Sequence, residues 1–168
     1  MIGLKNYFNF AEISQKSSYN IYSFSIVLHI ELLFPPKQNK SLSLKDLLEY
    51  KYPRNGNNKL ADLPEILSIS FNRGIVGKNV IKTKVSFSEE LNLDPYIDSE
   101  IIKKKDNKYK LYAINERYGH FKSQGHYVSY IKLNQQWNSF SDLYVNVCGY
   151  DEPNFNSPDV FGLYYTKQ

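Results

Sequence analysis

Cysteine is nearly absent: a single residue, Cys148, is all the thiol in 168 residues. One cysteine excludes an internal disulfide and any zinc site built on a cysteine pair. Long apolar runs are missing too. No stretch approaches the ~20 residues that a membrane-spanning helix needs. Lys5, Asn6 and Asn9 interrupt the N-terminal region where a signal peptide would carry its apolar segment. Blocks of one charge are also lacking, apart from Lys103-Lys104-Lys105, and the net charge is only +4. A basic run this short reads as a solvated loop, so no nucleic-acid partner and no membrane partner is expected. With three histidines and no cysteine pair, no metal site and no other cofactor is expected either. The chain is therefore expected in the cytoplasm or the nucleus.

What is present is aromatic and aliphatic. The chain holds 15 Tyr and 10 Phe, and 42% of its residues are hydrophobic. That suits one folded domain with a core and argues against disorder. Residues 22–33 alternate, with Phe24, Ile26, Leu28, Ile30 and Leu32 on one face and Ser23, Ser25, His29 and Glu31 on the other. Such a period of two marks a half-buried strand, and leaves His29 on a solvated face. Pro35-Pro36 ends it. Ser43 is the expected N-cap of a short helix, with the Asp46 carboxylate near its positive end and Leu44, Leu47 and Leu48 as its apolar face. Pro53 and the Asn55-Gly56-Asn57-Asn58 run stop it.

Residues 65–73 alternate again, with Leu67, Ile69 and Phe71 inward. A short strand is expected at 82–87, a turn at Asp94-Pro95, and loop over 97–108. Further strands are expected at 109–117, 126–133, 136–140, 143–148 and 160–166. Tyr7-Phe8-Asn9-Phe10 has the composition of another. A strand-rich chain with one short helix gives an antiparallel α+β domain.

The chemistry concentrates between Tyr109 and Asp142. Gly125-His126-Tyr127 opens a strand. A histidine at a strand mouth, beside a glycine that removes steric cover, can face a cleft and act as a general base. A hairpin brings Ser141 and Asp142 back towards it, where an oxygen can hold one ring nitrogen and fix the tautomer. His120 follows Gly119 in the preceding loop, without a strand to position it. Tyr127, Tyr130, Trp137 and Phe140 suit sheet core and substrate wall equally.

Gly-His-Tyr-x-x-Tyr-x-Lys, followed by Trp-x-x-Phe-x-Asp, resembles the histidine box of the ubiquitin-specific proteases. Leu63-Pro64 with the strand ending at Arg73, Lys84-Val85-Ser86-Phe87 with Leu91, Leu93 and Tyr96, and Phe161-Gly162-Leu163-Tyr164-Tyr165 resemble other segments of that family, in the same order. The resemblance implies a papain-like cysteine peptidase fold, of which this chain holds mainly the antiparallel palm and fingers sheet. It implies a single partial domain over 1–168, with a fingers-like region and short helix at 1–62 and the palm with its histidine box at 63–168. It implies deubiquitination, with ubiquitin or ubiquitinated proteins as partners. His126 falls on the base. Ser141 and Asp142 fall on the acidic positions that orient it, and Gly125 and Tyr127 line the channel for the glycine-rich tail of ubiquitin. Arg117 stands where the family often has histidine.

The sequence departs from the family at the nucleophile. Gly3-Leu4-Lys5-Asn6 is similar to the opening of its cysteine box, but Ala11 falls where the cysteine belongs. Residues 51–62 cross the fingers region with no zinc-ribbon cysteine. Cys148 ends an apolar strand and is expected to be buried and inert. Three readings stay open: an enzyme whose nucleophile lies outside this chain, an inactive pseudo-deubiquitinase that binds ubiquitin or a scaffold partner, and a relic that keeps the fold and no function.

Overall fold

Strand periodicity and one helix cap account for most of the local structure. The structure is a computed structural model and describes residues 27–36, 41–56, 58–60, 63–76, 79–97, 107–120, 124–148 and 153–168. The stretches 1–26 and 98–106, with Tyr7-Phe8-Asn9-Phe10, Ala11, Phe24 and the three-lysine run, lie outside them. In chain order the elements begin with β1 (Val27–Leu33), β2 (Ser41–Ser43) and α1 (Leu44–Lys51). Then come β3 (Ile66–Asn72), the two-residue strands β4 (Ile75–Val76) and β5 (Asn79–Val80), β6 (Lys84–Ser86) and β7 (Glu90–Asn92). The last are β8 (Lys108–Tyr118), β9 (His126–Leu133), β10 (Gln136–Ser141), β11 (Tyr144–Val147), β12 (Asn156–Ser157) and β13 (Val160–Lys167).

One sheet organises the chain, in the order β1-β3-β13-β8-β9-β10-β11, with β7 added to β8. Its pairings are antiparallel except β1 with β3, which is parallel. The small sheet β12-β6-β2 also contains a parallel pair, β2 with β6. The arrangement is thus mainly antiparallel, as expected, with two parallel pairs within it. Side-chain periodicity reports faces and not neighbours, so it could not identify these partners. β1 joins the main sheet through β3.

The core lies on one face. Leu67, Ile69 and Phe71 of β3 are fully buried, as are Ile30 and Leu32 of β1 and Leu111, Ile114, Leu163 and Tyr165 of β8 and β13. The helix α1 covers this face through Leu44, Leu47 and Leu48. Its start is a reciprocal cap: the Asp46 N–H donates to Ser43 Oγ at 3.1 Å and the Ser43 N–H donates to Asp46 Oδ2 at 2.7 Å. The Ser43 N–H, and its hydroxyl donating to the same Oδ2 at 2.7 Å, hold the Asp46 carboxyl below its usual range. The Tyr52 N–H closes the last turn on the Leu48 carbonyl at 2.7 Å, and Pro53 follows.

His29 corrects its expectation. It is half-buried, not solvated, with Nδ1 3.1 Å from Ser68 Oγ and Nε2 3.0 Å from Ser70 Oγ. The parallel neighbour β3 sets its two serines on either side of the ring, which the sequence of β1 alone does not reveal. Burial lowers its pKa from the usual 6.5, outweighing the pull of Glu31. Below that value the unfolded chain takes up a proton that the folded chain resists, so stability falls as the pH drops through this range. Replacing His29 by Gln is expected to flatten the change in urea midpoint between pH about 7 and about 5.5. An unchanged slope would assign the acid sensitivity elsewhere.

Candidate active site

The site is built by two hairpins at one end of the sheet. β8 and β9 run antiparallel with Tyr118 opposite His126. β9 turns into β10 through Asn134 and Gln135, both at positive φ (49° and 67°), as a tight two-residue hairpin requires. β10 then runs back and ends at Ser141, where the chain turns again through Asp142 at φ 49°.

This return brings three of the sequence-picked residues together. His126 Nε2 lies 2.7 Å from Ser141 Oγ, a short hydrogen bond. Asp142 Oδ2 lies 3.8 Å from Nδ1, the other ring nitrogen, beyond hydrogen-bond reach. Ser141 and Asp142 therefore do not share one role. Serine holds the ring, while the carboxylate stands off its opposite side as a charge. The imidazole is half exposed, and Asp142 is more exposed still, at 77% of its side chain.

Tyr127 is turned away. Successive strand residues point to opposite faces, so Tyr127 lies on the other side of the sheet from His126. There it packs edge-on against Phe161, with ring centroids 6.1 Å apart. The Arg117 guanidinium sits 5.9 Å from the same ring and donates from Nη2 to the Gln124 carbonyl at 3.3 Å. It also covers Gly125, where a Cβ would fall 2.6 Å from Arg117 Cζ. Beside this cluster is a groove of about 470 Å³, lined by Glu31, Ser70, Asn72, Arg117, Tyr127 and Phe161 among others. Gly125→Ala is expected to cost about 1 kcal/mol in an otherwise unchanged chain, because the guanidinium must swing aside. In an Arg117→Ala background that cost should vanish. Equal costs in both backgrounds, measured by urea denaturation, would show that Arg117 is not the obstacle.

Sequence reasoning missed a hydrogen-bonded group at Tyr118, the strand partner of His126. The Tyr118 hydroxyl donates to buried Glu116 at 2.5 Å and lies 3.3 Å from the Tyr130 hydroxyl. Burial, and then the Glu116 carboxylate, push the Tyr118 phenol well above its usual pKa. The spacing of Glu116 and Tyr118, two apart on one strand, was the available signal. Of the aromatic residues that suited core and wall equally, Trp137 is buried and Tyr127 exposed, with Tyr130 and Phe140 between. His120 is exposed, and its carbonyl accepts from the Val80 N–H at 2.9 Å.

Cys148 corrects a second expectation. The strand leading to it is not buried: Tyr144, Val145 and Val147 are 73%, 61% and 58% exposed. Only Cys148 itself is half-buried, packed against the core rim. It is also remote from the histidine. Its N–H donates to the Trp137 carbonyl, and Trp137 pairs with Lys132, six residues along β9 from His126. At about 3.3 Å per residue that is a separation of roughly 20 Å along the sheet. Among the described residues, no three His, Cys, Asp or Glu side chains cluster as metal ligands, and no helix is long and apolar enough to cross a membrane.

Comparison with known proteins identifies the family and the fold. The family model for ubiquitin carboxyl-terminal hydrolase matches residues 5–165. Ubiquitin carboxyl-terminal hydrolase 20 of Arabidopsis thaliana is 31% identical over 98 residues, which is 58% of this chain and 14% of that protein. Among solved structures, the yeast SAGA deubiquitinating module with a mutant Sgf73 aligns with a TM-score of 0.66 and 21% identity, covering 83% of this chain and 34% of that one. The SAGA Ubp8/Sgf11/Sus1/Sgf73 module bound to ubiquitin aldehyde gives 0.66 and 19%, covering 83% and 36%. The chain thus spans about a third of those solved chains and a seventh of the curated relative. Its fold is the sheet-rich part of a ubiquitin-specific protease catalytic domain, and the chain belongs to the ubiquitin carboxyl-terminal hydrolase family.

Proposed function

We propose that this chain carries the base side of a ubiquitin-processing thiol site. The hydrogen bond between His126 Nε2 and Ser141 Oγ is the observation behind this reading. With Nε2 held, Nδ1 is the nitrogen that takes the proton from an attacking thiol. Ser141 fixes the ring but carries no charge. Asp142, beside Nδ1, supplies the negative field that favours the imidazolium as it forms. Gly125 and Tyr127 are the residues that meet ubiquitin in this reading, Tyr127 from the face opposite His126, beside the groove it lines with Arg117 and Phe161. The reaction is hydrolysis of the peptide or isopeptide bond at the C-terminus of ubiquitin. Ubiquitin or ubiquitinated proteins are the partners, in the cytoplasm or nucleus.

The thiol is the part this chain does not bring to His126. Cys148 sits roughly 20 Å along the sheet from it. In the second reading the chain is an inactive module that binds ubiquitin without cleaving it. Both readings predict that the 168-residue chain alone has no thiol-dependent turnover. The test pairs a ubiquitin titration with a fluorogenic ubiquitin C-terminal amide. Ubiquitin binding is expected, weakened about fivefold or more by Tyr127→Ala, the loss of roughly 1 kcal/mol. No hydrolysis is expected. Hydrolysis that disappears on His126→Ala would overturn the missing thiol, and absent binding would remove the ubiquitin reading of Gly125 and Tyr127.

A further inference from the structure

We propose that β11 is a pairing edge through which two copies of this chain join their sheets into one. The strand ends the main sheet and pairs only with β10 among the described residues. Leu143, Tyr144, Val145 and Val147 are each more than half exposed, and Leu143 reaches 95%. These apolar side chains stand on both faces of the strand, so neither face rests on a core.

The free edge has a defined donor and acceptor pattern. Ser141 and Tyr144 flank a two-residue turn, so they form a hydrogen-bonded pair. Asn146 with Ser139 repeats that pattern, and the Cys148 N–H donates to the Trp137 carbonyl in the same phase. Tyr144, Asn146 and Cys148 therefore turn their backbone groups inward. Val145 and Val147 turn theirs outward. In an antiparallel pair about a two-fold axis, Val145 of one copy exchanges hydrogen bonds with the partner's Val147, and the reverse. Asn146 then meets its own counterpart on the axis, in a non-hydrogen-bonded position with Cα atoms about 4.5 Å apart. Four valines cluster on one face, and two amides meet on the other.

The occupant follows from charge and symmetry. Edges of monomeric sheets are usually guarded by lysine, proline or a bulge. The sequence Leu143-Tyr144-Val145-Asn146-Val147 has none of these and no charge, so a second copy meets no repulsion along it. The opposite edge differs. There β1 presents Glu31 and His29, and its Glu31 carbonyl already accepts from Lys51 Nζ at 3.0 Å. A pairing this short covers less than the ~800 Å² per partner of a standard interface, so the dimer is weak, with a dissociation constant in the micromolar range or above.

Sedimentation equilibrium over about a hundredfold concentration range gives the first test. The mass should climb from 19.7 kDa towards double, while Val145→Lys holds it at 19.7 kDa with an unchanged circular dichroism spectrum. Val145 is exposed, so that variant should fold. A disulfide gives the second test. In a Cys148→Ser background, Asn146→Cys should oxidise to a covalent dimer, and Leu133→Cys, exposed but off the axis, should not. A wild-type mass of 19.7 kDa throughout, a Val145→Lys variant that associates like wild type, or equal cross-linking at positions 146 and 133 would overturn the proposal.

Discussion

Replacing Arg73 by Met is expected to destabilise the chain by about 3 kcal/mol or more, the cost of leaving buried carbonyls without their donor. Arg73 is 6% exposed. Its Nε donates to the Val160 carbonyl at 2.6 Å, and its Nη1 donates to the Ile81 and Thr83 carbonyls at 3.1 and 2.9 Å. One side chain thereby ties the end of β3 to the start of β13 and to the connection before β6. Its guanidinium lies 5.2 Å from the Phe34 ring. Burial lowers its pKa to about 10, against the opposing pull of Asp159 and Glu116, so it stays charged at neutral pH. Methionine fills much of the same volume and removes every donor. Three carbonyls then lose their partner, each at about 1–3 kcal/mol if no water replaces it. Lysine should recover little, because one ammonium cannot span three carbonyls as the planar fork does. Urea denaturation followed by circular dichroism measures the loss. A cost below about 1 kcal/mol for Arg73→Met would mean that water enters and satisfies the carbonyls.

Arg73 also marks how far the sequence can be read. The strand before it was legible, because Leu67, Ile69 and Phe71 alternate with polar residues that half-face solvent. Its terminal arginine matched a family segment, but nothing in the linear order says that it turns inward beneath residues 81–83. The ion pair between Lys82 and Asp159, far apart in sequence, was invisible for the same reason. The helix was legible from Ser43, Asp46 and three leucines, since a cap is a local event. β11 was misread because an apolar run looks the same whether a strand is buried on both faces or exposed on both. Only its place at the end of the sheet decides, and that is set by the other strands. At the candidate site, residue order brought His126, Ser141 and Asp142 together through one hairpin. It could not say which ring nitrogen each would meet, because that depends on the positive φ of Asp142, which carries the chain past the strand end.

The loop leading into His126 carries the other large expected effect. Gly119→Ala should cost about 2–3 kcal/mol, from two separate sources. The residue holds φ at 112°, which side chains rarely adopt, and a Cβ there would fall 2.6 Å from the Gln124 carbonyl oxygen. That oxygen is backbone, one residue before Gly125, so it cannot yield as a side-chain tip would. Gly74 separates the two sources. It too has positive φ, at 46°, but a Cβ there meets only the end of the Ile81 side chain at 3.3 Å. Gly74→Ala should therefore show the conformational cost nearly alone, about 1 kcal/mol. The difference between the variants, from urea midpoints, gives the cost of pushing Gln124 away. That push should also reach the site, because Gln124 is joined to Arg117 and leads directly into Gly125 and His126. The His126 ring signals in a proton–carbon correlation spectrum should move in Gly119→Ala and stay in place in Gly74→Ala. If both variants cost the same and leave His126 undisturbed, the loop bends freely at Gln124, and the approach to the histidine is set by β9 alone.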